Sequence, residues 1–161
     1  MPTVSVSRSI EAPQAQVWAV LCDIARAGRW NQAWSKIEVT SQQTHGSGTT
    51  FRAHTEDGAT YDFLVSDWIA PEYIAFSPIR DSSERYQITL ESQAFRLKPL
   101  DDGETLVELS ARASARGLRG RIVALLFWPG YQKHGLSAAL GALHDAVVPH
   151  EEDEPDSEAA L

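Results

Sequence analysis

The chain has 161 residues, 43% of them hydrophobic and 22% charged, which suits one globular domain with a core large enough to fold alone. The formal net charge is −8, and the last eleven residues, EEDEPDSEAAL, carry six acidic groups and no basic one, so about −2 remains for everything before them. That balance weighs against nucleic acid and anionic membrane surfaces as partners through overall electrostatics, and it divides the chain into a domain, residues 1–149, and a solvated acidic tail, residues 150–161.

Cys22 is the only cysteine, so no intrachain disulfide forms and a reducing compartment is expected. Its neighbours Val20 and Leu21 mark it as part of a helix packing face, a structural thiol rather than a nucleophile. No charged and apolar leader opens the chain, and no apolar run reaches eighteen residues. A cytoplasmic protein without an integral membrane segment is expected.

In chain order, Val4, Val6 and Ile10 alternate with polar residues, which predicts a half-buried strand over 3–10. Pro13 suits a helix start, and Val17, Val20, Leu21 and Ile24 continue at helical spacing. Asp23 is placed to cap a second short helix ending near Gly28, and residues 29–34, with Trp30 and Trp34, read as a structured loop. Strands follow at 36–43, 49–55, 60–69, 73–77, 85–97 and 105–115, separated by turn signals such as Asp57-Gly58 and Asp101-Asp102-Gly103. Tyr61, Phe63 and Val65 share one face, as do Tyr86, Ile88 and Leu90. Short loops between consecutive strands predict an antiparallel meander.

The last apolar stretch, 118–147, carries Leu118, Ile122, Leu125, Leu136, Leu140, Leu143 and Val147 at helical spacing, read together as one apolar face that covers the sheet. Pro129 and Gly130 interrupt it, predicting a kink or two segments, and Pro149 stops it. The fold class is α+β.

This order of elements resembles the START-like (helix-grip, SRPBCC) superfamily, the polyketide cyclase/dehydrase and lipid-transport group. Ile10-Glu11-Ala12-Pro13, then Val17-Trp18 and Leu21-Cys22-Asp23, are similar to that family's opening, Trp30 and Trp34 to the tryptophans after it, and Gly48 to the glycine that opens the next hairpin strand. The resemblance implies a curved antiparallel sheet wrapped around a long C-terminal helix, with a cavity between them for a lipid, sterol, polyketide or similar molecule. No catalytic set is common to the superfamily, so none is carried over.

Aromatic residues give flat apolar walls, and Tyr and Trp add a donor that orients a ligand. The candidate ligand-binding residues are Trp30, Trp34, Tyr61, Phe63, Tyr73, Tyr86, Trp128 and Tyr131, with Phe76 and Phe127 as further candidates. Each has core packing as its alternative role. Trp30, Tyr61, Tyr86 and Trp128 are expected nearest the cavity mouth or wall. Candidate acid–base groups are His54, Arg52 and His134. His54 and Arg52 share one strand face, which is either inward, toward a ligand carboxylate or enolate, or outward in solvent. Arg116, Arg119 and Arg121 form a small basic cluster that either steers an acidic partner or is a solvated rim. Histidines 45, 54, 134, 144 and 150 have no metal-binding spacing, and no nucleotide or phosphate loop is present, so neither metal nor cofactor is expected. Three functions stand: a binding or carrier module for a small hydrophobic, ring-containing ligand, a cyclase or dehydratase using the same cavity, or a protein-interaction module.

Overall fold

A computed structural model describes residues 3–79, 88–126 and 128–148, with the backbone alone at Ile88, Val123, Trp128 and Tyr131. Seven strands are described: β1 (Thr3–Ile10), β2 (Lys36–Val39), β3 (Thr50–His54), β4 (Thr60–Ile69), β5 (Tyr73–Pro78), β6 (Ile88–Pro99) and β7 (Thr105–Ala115). They form one sheet in the order β1-β7-β6-β5-β4-β3-β2, with every neighbouring pair antiparallel. Tight turns make the meander possible. At the β3–β4 hairpin Gly58 takes φ +85°, a left-handed conformation that suits glycine, and Thr55 N donates to Ala59 O at 2.9 Å.

Helix α1 (Gln14–Leu21) follows Pro13, whose carbonyl accepts from the amides of Gln16 and Val17. Asp23 opens a 3-10 segment, Ile24–Arg29, without a side-chain cap bond; its carboxylate instead lies 3.7 Å from Arg26 and 3.5 Å from Arg29. The C-terminal stretch is helical over Gly117–Leu126, labelled α2, and Trp128–Val147, labelled α3; Phe127, where the expected kink falls, lies outside the described residues. Pro129 is the second described residue of α3.

The core lies between α3 and the concave face of the sheet. Helix α3 lies across β1 and β7, and Leu136, Leu140 and Leu143, at i, i+4 and i+7, are buried in one cluster with Val4 and Ile10 of β1 and Val107, Leu109 and Ala111 of β7. Helix α2 departs from the expectation of one continuous apolar face. Leu118, Ile122, Leu125 and Leu126 are exposed, and among its described side chains the residues it buries are the small Gly120 and Ala124.

Two register shifts set the direction of the inner face. One lies between Val65 and Asp67 of β4, the other between Leu90 and Ser92 of β6. Each inserts a residue that has no partner across the ladder and so exchanges the inward and outward parities. Before the first, Phe63 and Val65 point inward; after it, Trp68 does, packing edge-on to Trp18 of α1 at 5.4 Å. Beyond the second, Gln93, Phe95 and Leu97 stand opposite Ala111, Leu109 and Val107 on the concave face.

Candidate functional site

A cavity of about 300 Å³ opens between α3 and the sheet. Its floor is Gln93 and Phe95 of β6 with Leu109 of β7. One end is the loop from Trp30 through Asn31 and Gln32 to Ala33. The helix side is Gln132, Gly135, Leu136, Ala138 and Ala139 of α3. The space exists because α3 presents small side chains there. A methyl group added at Gly135 meets no atom within 4 Å.

All these lining residues are uncharged. The polar groups among them are carboxamides, and they come from three sides. Asn31 Oδ1 accepts from the Ala33 amide at 3.2 Å, which holds the loop. The side chains of Gln93 and Gln132, on opposite walls, have no hydrogen-bond partner among the described residues. Gln93 is the one polar side chain in the inward run Gln93, Phe95, Leu97, and a carboxamide there supplies both a donor and an acceptor to whatever enters.

Beyond the end wall the aromatic residues interlock. Trp30 is 1% exposed and sits edge-on to Phe95 at 5.0 Å and to Trp34 at 5.4 Å. Trp34 in turn meets Phe63 at 5.1 Å and Phe51 at 5.7 Å. Phe51 stacks on Phe63 at 5.3 Å, and Phe76 closes the group against Trp30 and Phe51. Each such pair contributes about 0.5–1.5 kcal/mol beyond its buried area, so this end is filled and stiff. The indole Nε1–H of Trp30 is buried with no nitrogen or oxygen acceptor among the described residues. Its edge-on neighbours offer aromatic faces, a weaker partner for an N–H.

The sequence candidates therefore separate. Trp30 borders the cavity, while Trp34, Phe63 and Phe76 belong to the aromatic core. Tyr61 is 53% exposed: it precedes Phe63 on the same strand face but lies at the strand end, beyond the buried part of the sheet. Tyr73 faces the outer side of β5, where the Arg96 guanidinium sits 4.7 Å above its ring. Tyr86 and Phe127, and the side chains of Trp128 and Tyr131, lie outside the described residues.

Arg52 and His54 alternate with the buried Phe51 and Ala53, so they point away from the cavity. Arg52 is bound to Asp62 through Nε at 2.8 Å and Nη2 at 3.3 Å. His54 Nε2 lies 2.8 Å from Glu38 Oε2, and Lys36 Nζ donates to Glu38 Oε1 at 2.9 Å. Hydrogen bonds from Lys36 and His54, with the charge of Lys36, hold the Glu38 carboxyl down at about 2. This cluster is a solvated cross-strand network. His134 is exposed on α3 and is not a lining residue, although its neighbour Gly135 is. Burial, reinforced by the Asp23 charge, pushes the Cys22 thiol up, and its Sγ–H donates to Ala19 O at 3.6 Å, which fits an inert thiol. Arg116, Arg119 and Arg121 are exposed.

Sequence reasoning missed Gln93 and Gln132. The signal for Gln93 was present as a change of parity, since Ile88 and Leu90 are apolar at even positions while Phe95 and Leu97 are apolar at odd ones. That change marks a bulge between them and turns Gln93 inward.

Solved structures share this architecture at low sequence identity. Truncated norcoclaurine synthase from Thalictrum flavum superposes with a TM-score of 0.71 at 16% identity, covering 93% of this chain and 95% of that one. An uncharacterized protein from Bacillus thuringiensis gives 0.70 at 17%, covering 91% and 98%. The Zhui aromatase/cyclase from Streptomyces sp. R1128 gives 0.65 at 18%, covering 92% and 96%. No curated protein matches the chain in sequence. Residues 1–148 match one family along their whole length, and the helix-grip architecture agrees with it, so the chain belongs to the polyketide cyclase/dehydrase and lipid transport family.

Proposed function

We propose that the protein binds and carries a small, uncharged, ring-containing molecule that bears a carbonyl or hydroxyl oxygen. The observation that carries this reading is the Gln93 carboxamide, unpaired among the described residues and turned into an otherwise apolar floor. Gln93 is half-buried, so its carboxamide is open to the cavity, and an entering oxygen or N–H can take the place of water on it. Size supports a compact ligand: about 300 Å³ is at the lower end of small-molecule sites, enough for one or two rings and too little for a sterol. The uncharged lining favours a neutral ligand, because a carboxylate would lose hydration with no cation to meet it among the described lining residues.

Norcoclaurine synthase and an aromatase/cyclase share the fold, which supports ring-containing molecules as the ligand class and keeps a cyclase-like reaction as the second reading. The described lining residues, none of them titratable, favour carriage over that reaction. Holding a substrate's conformation can accelerate a cyclisation, but the proton transfers need a titratable partner.

A thermal-shift comparison of 2-naphthol with 2-naphthoate tests the proposal. A ligand that binds only the folded state raises the melting temperature. The naphthol should raise it and the naphthoate should not. Equal shifts, or a shift from the carboxylate alone, would refute a neutral-ligand site. Turnover of a bound ring compound would replace carriage with catalysis.

A further inference from the structure

We infer that α2 is a docking element for an anionic lipid bilayer, seated on the surface rather than through it. Helix α2 is built inside out for a helix on a soluble core. It turns Gly120 and Ala124 inward and exposes its large aliphatic residues, Leu118 at 76%, Ile122 at 51%, Leu125 at 78% and Leu126 at 66%. At about 100° per residue these four fall within an arc of about 100°, on the side opposite Gly120 and Ala124. Arg121 flanks one edge of the arc and Arg119 the other, with Arg116 just before the helix. A contiguous apolar stripe facing away from the protein is a surface that needs a partner.

The charges identify the partner. Residues 109–144 contain Arg112, Arg116, Arg119, Arg121 and Lys133 and no aspartate or glutamate. Arginines on both edges of an apolar stripe can reach lipid phosphates while the stripe enters the headgroup–acyl boundary. A second copy of the chain fits less well, because two stripes related by a twofold axis would bring their arginines together. The acidic tail fits the arginines but has little apolar surface to cover four aliphatic side chains. The net charge of −8 repels an anionic surface from afar. At physiological salt, however, charges farther than about 8 Å are screened, so the local arginines govern contact. Ten residues make a helix of about 15 Å, long enough to lie on a bilayer, and no described helix is long and apolar enough to cross one.

Vesicle co-sedimentation of the full chain tests this. The protein should pellet with mixed phosphatidylcholine/phosphatidylglycerol vesicles, stay in solution with phosphatidylcholine alone, and be released by salt. Leu125→Asp should abolish pelleting, and Arg119→Glu with Arg121→Glu should weaken it by more than about tenfold, since each basic residue near the surface contributes about fivefold. Both variants alter exposed positions, and circular dichroism checks that each is folded. The salt series on the unaltered chain tests the proposal independently of any variant. The proposal is overturned if the chain ignores phosphatidylglycerol vesicles at low salt or if Leu125→Asp pellets as before. It is also overturned if light scattering finds a dimer that Leu125→Asp converts to monomer, which would assign the stripe to self-association.

Discussion

Gln93 of β6 stands directly across the ladder from Ala111 of β7, a polar side chain facing a methyl group on the concave side of the sheet. The small partner leaves Gln93 room, and the shift at Glu91 turns it inward. Gln93→Leu should therefore fill an apolar environment without harming the fold, while weakening an oxygen-bearing ligand by about 0.5–1.5 kcal/mol, the value of one neutral hydrogen bond. Calorimetric titration of the variant with 2-naphthol checks this. Unchanged affinity would remove Gln93 from the site.

Gly135 separates stability from binding. Its added methyl group meets nothing within 4 Å, and the residue sits inside α3. Gly135→Ala should stabilise the protein by about 0.5–1 kcal/mol in urea unfolding, because it restricts the unfolded chain and favours the helix. Gly135→Leu should keep the fold and block the cavity, so the thermal shift from ligand disappears.

The two C-terminal helices should respond oppositely to truncation of a leucine. Leu140 is 2% exposed between α3 and the sheet, and Leu140→Ala should cost about 2–5 kcal/mol. Leu125→Ala on α2 should stay within about 0.5 kcal/mol, because that side chain is already in solvent. Denaturant midpoints of the two variants, at equal m-value, make the comparison.

The Glu38 network gives a pH signature. Its carboxyl is depressed to about 2 in the folded protein from an ordinary 4.5, so its contribution is complete above 4.5 and is lost as pH falls toward 2. Glu38→Gln should flatten that part of the stability profile and leave ligand binding unchanged, since the network lies on the outer face. His54→Ala should likewise leave binding unchanged. Lost binding in either variant would show that the outer face communicates with the cavity.

Strand limits were legible where alternation was uninterrupted. Residues 3–10, 60–69 and 105–115 coincide with β1, β4 and β7. The helical phase of Leu136, Leu140 and Leu143 was equally clear, because large residues at i, i+4 and i+7 have one place to go. Faces were harder to read than limits. One extra residue in β4 and one in β6 reversed the parity, which sends Trp68 and Gln93 inward. Tyr61 kept the expected parity yet is exposed, because alternation specifies a direction and not what covers it. The outward stripe of α2 was hidden for a related reason. Leu118, Ile122 and Leu125 have core spacing, and only the burial of Gly120 and Ala124 reveals that the spacing faces solvent.

The acidic tail should be dispensable for stability. Its six carboxylates repel one another and it has no apolar periodicity. Ending the chain after Pro149 should change the unfolding free energy by no more than about 0.5 kcal/mol. A loss of several kcal/mol would assign the tail a place in the fold.

The most direct test of the binding reading is a two-dimensional NMR titration of the labelled protein with 2-naphthol, following backbone amides, glutamine side-chain amides and the indole N–H signals together. Binding in the cavity predicts saturable shifts concentrated at Gln93, Gln132, Gly135 and Ala139 and at the Trp30 indole, with the Arg52–His54 face unmoved and the response lost in Gly135→Leu. Shifts scattered over the surface, or the same response in Gly135→Leu, would contradict it.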